Sequence, residues 1–198
     1  MAEPTFHVPE SVTFEQAIAL TDSLLAQIEQ GACSDAEIEQ AIAALVSSQN
    51  GARGFFVTYL SGERSLADHP SPAVIRALQS APETVAELLV KNLAMSSAMA
   101  ITHRRNQNAE MAQGSEQVRS RTFNLIQLTQ LPLVAEKASK LLESAVTGVG
   151  SYQAFLDRWG YDAEQRLVIQ QAMKRAIAQP DVDSAAIDLA DSDLTAIE

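Results

Sequence analysis

The chain has one cysteine, Cys33, in 198 residues, so no intramolecular disulfide can form. A lone thiol in an otherwise ordinary composition fits a reducing compartment, and a cytoplasmic location is expected. Residues 1 to 52 contain no Lys or Arg at all. The first ten carry Glu3 and Glu10 but no apolar core segment, a pattern that matches neither a signal peptide nor an Arg-rich transit peptide. Long hydrophobic runs are also missing. The most apolar stretch, Val85 to Ile101, is interrupted by Glu87, Lys91, Asn92, Ser96 and Ser97, short of the roughly 18 uninterrupted apolar residues of a span, so no membrane span is expected. There is no internal repeat and no biased linker, which excludes a solenoid and a two-domain division.

The charge that is present is mostly negative. Fourteen basic residues against 25 acidic ones give a net charge of -11, which repels phosphate backbones, so nucleic acid is not an expected partner. The distribution is uneven. Residues 1 to 52 hold eight acids, residues 180 to 198 hold six acids with no basic residue, and all the Lys and Arg lie between them.

Periodicity along the chain is that of helices. Phe14, Ile18, Thr21, Leu25 and Ile28 alternate steps of four and three behind a Thr13/Gln16 capping-box spacing. Ser34 and Glu37 repeat the box ahead of Ile38, Ile42 and Leu45, and Asn50-Gly51 reads as the stop. Residues 54 to 60, Gly-Phe-Phe-Val-Thr-Tyr-Leu, are rich enough in aromatic and β-branched types to suggest a strand. No second such run exists to pair with it, so a short buried helix is favoured. Ser71-Pro72 opens a short helix. Pro82 opens the longest, which ends near Asn106 with acids in its first turns and His103, Arg104 and Arg105 in its last. Its small residues, including Ala94 and Ala98, flank Met95 and Met99 and mark it as the central helix. A polar stretch, Gln107 to Gly114, is expected to be a loop. Further helices follow over Val118 to Thr129, Val134 to Ala145, Ser151 to Trp159 and Leu167 to Ile177. The expected fold is all-α: a single compact bundle of about eight helical segments around a central helix near residues 82 to 106. One helical domain would cover residues 1 to 179, with an acidic tail over 180 to 198, in which Ile187, Ala190, Leu194 and Ile197 share helical spacing.

No set of residues stands at a spacing that chemistry demands. His7, His69 and His103 have no metal-ligand partner at helical or loop spacing. Cys33 has no histidine nearby in sequence, and Asp35, Glu37 and Glu39 belong in a helix first turn on dipole grounds alone. Gly148-Val149-Gly150-Ser151 precedes a helix but follows one too and lacks the lysine of a phosphate loop, so its glycines read as caps. No catalytic residue, metal or cofactor is assigned, and an enzyme is not favoured. Two candidate surfaces remain. If the helices on either side of Gln107 to Gly114 fold back on each other, His103, Arg104, Arg105, Arg119 and Arg121 form a basic cluster suited to an internal acidic segment, an acidic partner, or an anionic ligand or nucleic acid. With the second helix starting at Ser115, Arg119 and Arg121 would stand near its positive end. Phe55, Phe56, Tyr59, Met95 and Met99 form a candidate apolar pocket.

Residues 54 to 60 together with Lys91-Asn92-Leu93-Ala94-Met95 and Thr102-His103-Arg104-Arg105-Asn106 are similar to conserved uncharacterised proteins of cyanobacteria. The resemblance implies cytoplasm and a photosynthetic host, and no activity. Segregated charge on abundant helix surface favours a non-enzymatic module that binds another protein, with a bundle enclosing a small apolar or anionic ligand as the alternative. A homo-oligomer is compatible with either.

Overall fold

Both capping boxes expected from the sequence form, Thr13 with Gln16 and Ser34 with Glu37, and a third forms at Asp162 with Gln165. Each exchanges a side-chain bond for a backbone bond at a helix start, so each fixes where the chain turns. The computed structural model of the chain describes residues 7–9 and 11–178, and the acidic segment 180–198 lies outside the described residues. Among the described residues there are no strands and nine α-helices: α1 (Phe14–Glu29), α2 (Asp35–Val46), α3 (Gln49–Ser61), α4 (Pro72–Gln79), α5 (Pro82–Arg105), α6 (Ala109–Thr129), α7 (Pro132–Thr147), α8 (Gln153–Trp159) and α9 (Ala163–Ile177), with a 3₁₀ turn at Ser65–Ala67. The all-α class stands, with one helix beyond the expected number.

The spine is the α5/α6 pair. Gln107 takes the left-handed conformation at φ 54° to turn the chain, and the Asn108 side chain accepts from the Met111 N–H to start α6 at once. The polar stretch Gln107 to Gly114 is therefore no loop beyond its first two residues. Glu110, Gln113 and Gly114 are the exposed face of the first turns of α6, and a solvated helix face has the same composition as a loop. α6 runs back along α5, so that its last residue Thr129 offers its carbonyl to Gln79 at the end of α4. α5 packs against α3, α4, α6, α7 and α9. Its 24 residues have the length and apolar content of a membrane span, but here Val85, Leu89, Leu93, Ala94 and Ala98 are buried in the helical core. Ser96 and Ser97 join them by returning their hydroxyls to the carbonyls of Asn92 and Leu93, each at 2.7 Å.

α1 to α4 gather on one side of this spine and α7 to α9 on another, and no helix of the first group packs broadly on one of the last three. One contiguous hydrophobic core draws on every helix. Residues 54 to 60 are helical, within α3. The expected stop at Asn50-Gly51 is overturned: α2 ends at Val46, and Ser48 caps α3 by accepting from the Gly51 N–H. Positions 51 and 54 of this helix are glycine because neighbours leave no room for a side chain. A Cβ on Gly51 would stand 2.1 Å from the Leu45 carbonyl oxygen, and one on Gly54 would stand 2.4 Å from the Ala17 Cβ of α1.

The same substitution should therefore have opposite signs at two helical glycines. Gly54→Ala should cost about 1–2 kcal/mol, because overpacking against α1 exceeds the gain in helix propensity. Gly114→Ala, where a new Cβ meets nothing within 4 Å, should stabilise by about 0.5–1 kcal/mol. Urea denaturation midpoints of the two variants check this, and a stabilised Gly54→Ala would contradict the close α1/α3 contact.

Candidate binding groove

The five residues of the candidate basic cluster do not form one surface. Arg121, two turns or more inside α6 and not near its start, is 2% exposed. All five of its N–H groups are used: Nε and one Nη2 hydrogen on Asp68 at 2.7 and 2.9 Å, Nη1 on the carbonyls of Leu60 and Gly62, and Nη2 on that of Arg64. It ties α6 to the end of α3 and the turn beyond it, a buried fork fully satisfied. Arg105 bonds Asp162 and Glu164 at the start of α9. Arg104 and Arg119 share Glu116, and His103 is half-buried on the last turn of α5. Every arginine of the set thus meets a carboxylate of its own chain.

The candidate apolar pocket divides as well. Phe55 and Tyr59 are core residues, stacked with ring centres 5.1 Å apart, and the Tyr59 hydroxyl donates to the Leu66 carbonyl. Phe56 and Met95 instead reach the wall of a large groove, whereas Phe55, Tyr59 and Met99 do not line it.

That groove, of about 1130 Å³, lies where α3 and α8 face each other across α5. Its floor is the one face of α5 left half-buried: Thr84, Leu88, Lys91, Asn92 and Met95, at helical spacing. From Thr84 to Met95 this floor runs about 16 Å, the length of three helical turns. Phe14 and Val57 form one lip and Phe155 and Trp159 the other, with Trp159 49% exposed. Four cations line the groove, Arg53, Lys91, Lys137 and Arg158, against two carboxylates, Glu83 and Glu87, so the groove is locally positive in a chain of net charge -11.

Glu87 organises the floor. It accepts from Lys91 and the Tyr152 hydroxyl at 2.7 Å each and lies 3.3 Å from Lys137. Burial pushes its carboxyl up, but the three donors outweigh that and hold it below its usual range. A carboxylate so engaged is a structural anion and a poor proton acceptor. Lys91 also lies over the rings of Tyr152 and Phe155, at 5.8 and 5.6 Å from their centres. Arg53 stacks on Phe14 at 5.0 Å. Neither Arg53 nor Arg158 meets a carboxylate at ion-pair distance among the described residues. No group of three His, Cys, Asp or Glu side chains among the described residues could hold a metal ion.

A family model described as uncharacterised conserved protein UCP020893 matches residues 13–176. The chain belongs to that family. The match takes in all nine helices but the last residue of α9, and with them every residue lining the groove. No curated protein and no solved structure matches the chain.

For this member of the family, sequence reasoning found the floor residue Met95 and the wall residue Phe56 but missed Arg53, Lys91, Lys137, Arg158 and Trp159. The available signal was the mixed stripe Thr84, Leu88, Lys91, Asn92 and Met95 on a helix otherwise apolar and small on its other faces.

Asp68 carries a testable consequence of the buried fork. Hydrogen bonds from Arg121 hold its carboxyl below the usual carboxylate range, against a smaller effect of burial in the opposite direction. Since the unfolded chain takes up this proton first, at about pH 4, the ion pair stabilises fully above that pH and is lost as pH falls further. Asp68→Asn should therefore lower the melting temperature at pH 7 and lose less between pH 5 and pH 3 than the parent. Parallel melting curves over that range would remove Asp68 from the account of acid stability.

Proposed function

We propose that this is a non-enzymatic interaction module whose groove receives an acidic amphipathic helix of another protein. The observation that carries the reading is the half-buried face of α5, flanked by aromatic lips and by Arg53 and Arg158, which meet no carboxylate among the described residues. Three turns of floor match three turns of an incoming helix, whose apolar side would cover Leu88, Met95 and Trp159 while its carboxylates meet the arginines. Tryptophan and arginine together are the residue types that most often anchor such contacts. The groove lies open along three turns of α5, a form that favours a helix over an enclosed small metabolite. Within the same reading the protein is cytoplasmic, on its cysteine usage. The similarity of residues 54–60, 91–95 and 102–106 to cyanobacterial proteins supports a cyanobacterial host.

The chain has a single tryptophan, so its emission reports on the groove alone. Titrating the full chain up to millimolar concentrations of a synthetic acidic amphipathic helix should shift Trp159 emission to the blue, with binding that weakens as salt is raised. Arg53→Glu/Arg158→Glu should weaken it about tenfold or more. A lysine-substituted version of the same peptide should bind poorly. Equal responses to both peptides, or none to the acidic one, would end this reading.

A further inference from the structure

A second cavity, of about 490 Å³, shares no lining residue with the groove. One face of α6 gives it Ser120, Phe123, Asn124 and Gln127, which recur at helical steps. Asp68 and His69, just past the 3₁₀ turn, line it from another side, and Arg175 joins them from the last turn of α9. Apart from Phe123 and Ala67 every lining residue is polar or charged. An apolar occupant would leave those groups without water or partners, so the cavity suits a hydrophilic one.

Its electrostatics have a definite sign. The one carboxylate in the lining, that of Asp68, is bonded through both oxygens by the buried Arg121 at 2.7 and 2.9 Å, so this pair adds no net charge. Arg175 is different, because it meets no carboxylate and makes no side-chain hydrogen bond among the described residues. Its guanidinium lies over the Phe123 ring, 4.1 Å from the centre. At that distance the ring occupies one face of the group and orients it, and the N–H donors around its edge stay free to fork onto an oxyanion. The Ser120 hydroxyl, the Gln127 amide and the His69 imidazole also have no hydrogen-bond partner among the described residues. Spare donors of four side chains thus converge on one space, on a fixed base provided by the Arg121–Asp68 fork. The volume lies within the range of ordinary small-molecule pockets and leaves room for a body beyond the anionic group.

We propose that this cavity is a second binding site, for a small hydrophilic molecule that carries an oxyanion, a phosphate monoester or a carboxylate. Arg175 receives the oxyanion bidentately, and Ser120, Gln127 and His69 serve the polar remainder of the ligand. The site stands apart from the groove, and each can fail without the other.

Isothermal titration of the full chain at low ionic strength tests it. The probes are glucose 6-phosphate, glycerol 3-phosphate, glucuronate and citrate, with glucose and glycerol as uncharged controls. At least one anion should bind with a dissociation constant of about a millimolar or below, the controls should not bind, and the tightest probe identifies the oxyanion. Arg175→Gln, at an exposed position, should weaken that probe about tenfold or more, through the loss of a charge-assisted pair. Arg175→Lys keeps the charge without the planar fork and should restore only part of the affinity. Arg158→Gln, in the groove, should change nothing, and unchanged melts of the ligand-free variants check folding. Absence of binding by every anion, equal binding of an uncharged control, or full affinity in Arg175→Gln or Arg175→Lys would overturn the proposal. Loss of affinity in Arg158→Gln equal to that in Arg175→Gln would place the ligand in the groove and overturn it as well.

Discussion

A helix has a limited circumference, and five neighbours compete for that of α5. α6 takes the longest strip, because the tight turn at Gln107 obliges the two to run side by side. α7 and α9 take another, and α3 and α4 approach from the side of α6. The two outer groups are held together mainly by their common contact with α5, and they do not close over its remaining face. A groove follows from this arrangement without any residue dedicated to making it. Small residues on α5 let the neighbours come close on the covered sides, while the uncovered side carries the longer mixed residues Leu88, Lys91, Asn92 and Met95.

Electrostatics divides along the same line. Most of the Lys and Arg hold the fold, and the buried Arg121 is the extreme case: a guanidinium with every donor used joins α6 to the end of α3. Such a group cannot lose a partner cheaply, because the remaining charge would stay buried. The groove cations are different in kind. Lys91 and Lys137 are engaged with Glu87, which fixes the floor, whereas Arg53 lies over Phe14 and neither it nor Arg158 meets a carboxylate among the described residues. The fixed floor between charged lips is the geometry on which the proposed recognition of an acidic amphipathic segment rests.

The fold was legible where local chemistry decides. Capping boxes at Thr13, Ser34 and Asp162, prolines at the starts of α4 and α5, and the left-handed Gly148 and Gly160 all act within one or two turns of chain, so their spacing alone located those ends. The helical reading of residues 54 to 60 held because a strand needs a partner and the sequence offered none. The misreadings at Asn50-Gly51 and at Gln107 to Gly114 share one cause. Glycine and polar residues read as breakers, yet residue 51 is a glycine inside a helix because the Leu45 carbonyl occupies the space of a side chain, and the start of α6 is polar because that turn faces water.

The site was hardly legible at all. The arginines near residues 103 to 121 are close in sequence and hence looked like a cluster, but helical geometry points them to different partners: Arg121 to a loop 53 residues earlier, Arg105 to α9 57 residues later. The groove assembles Arg53, Lys91, Lys137 and Arg158 from four different helices, and no spacing along the chain records that meeting. By itself the sequence determined the helical class, those ends that carry a local cap, and the choice of α5 as the centre, since these follow from propensity, caps and apolar period. Only the tertiary structure decided which charges are consumed inside the fold and which face of α5 stays bare, because both depend on which helices touch.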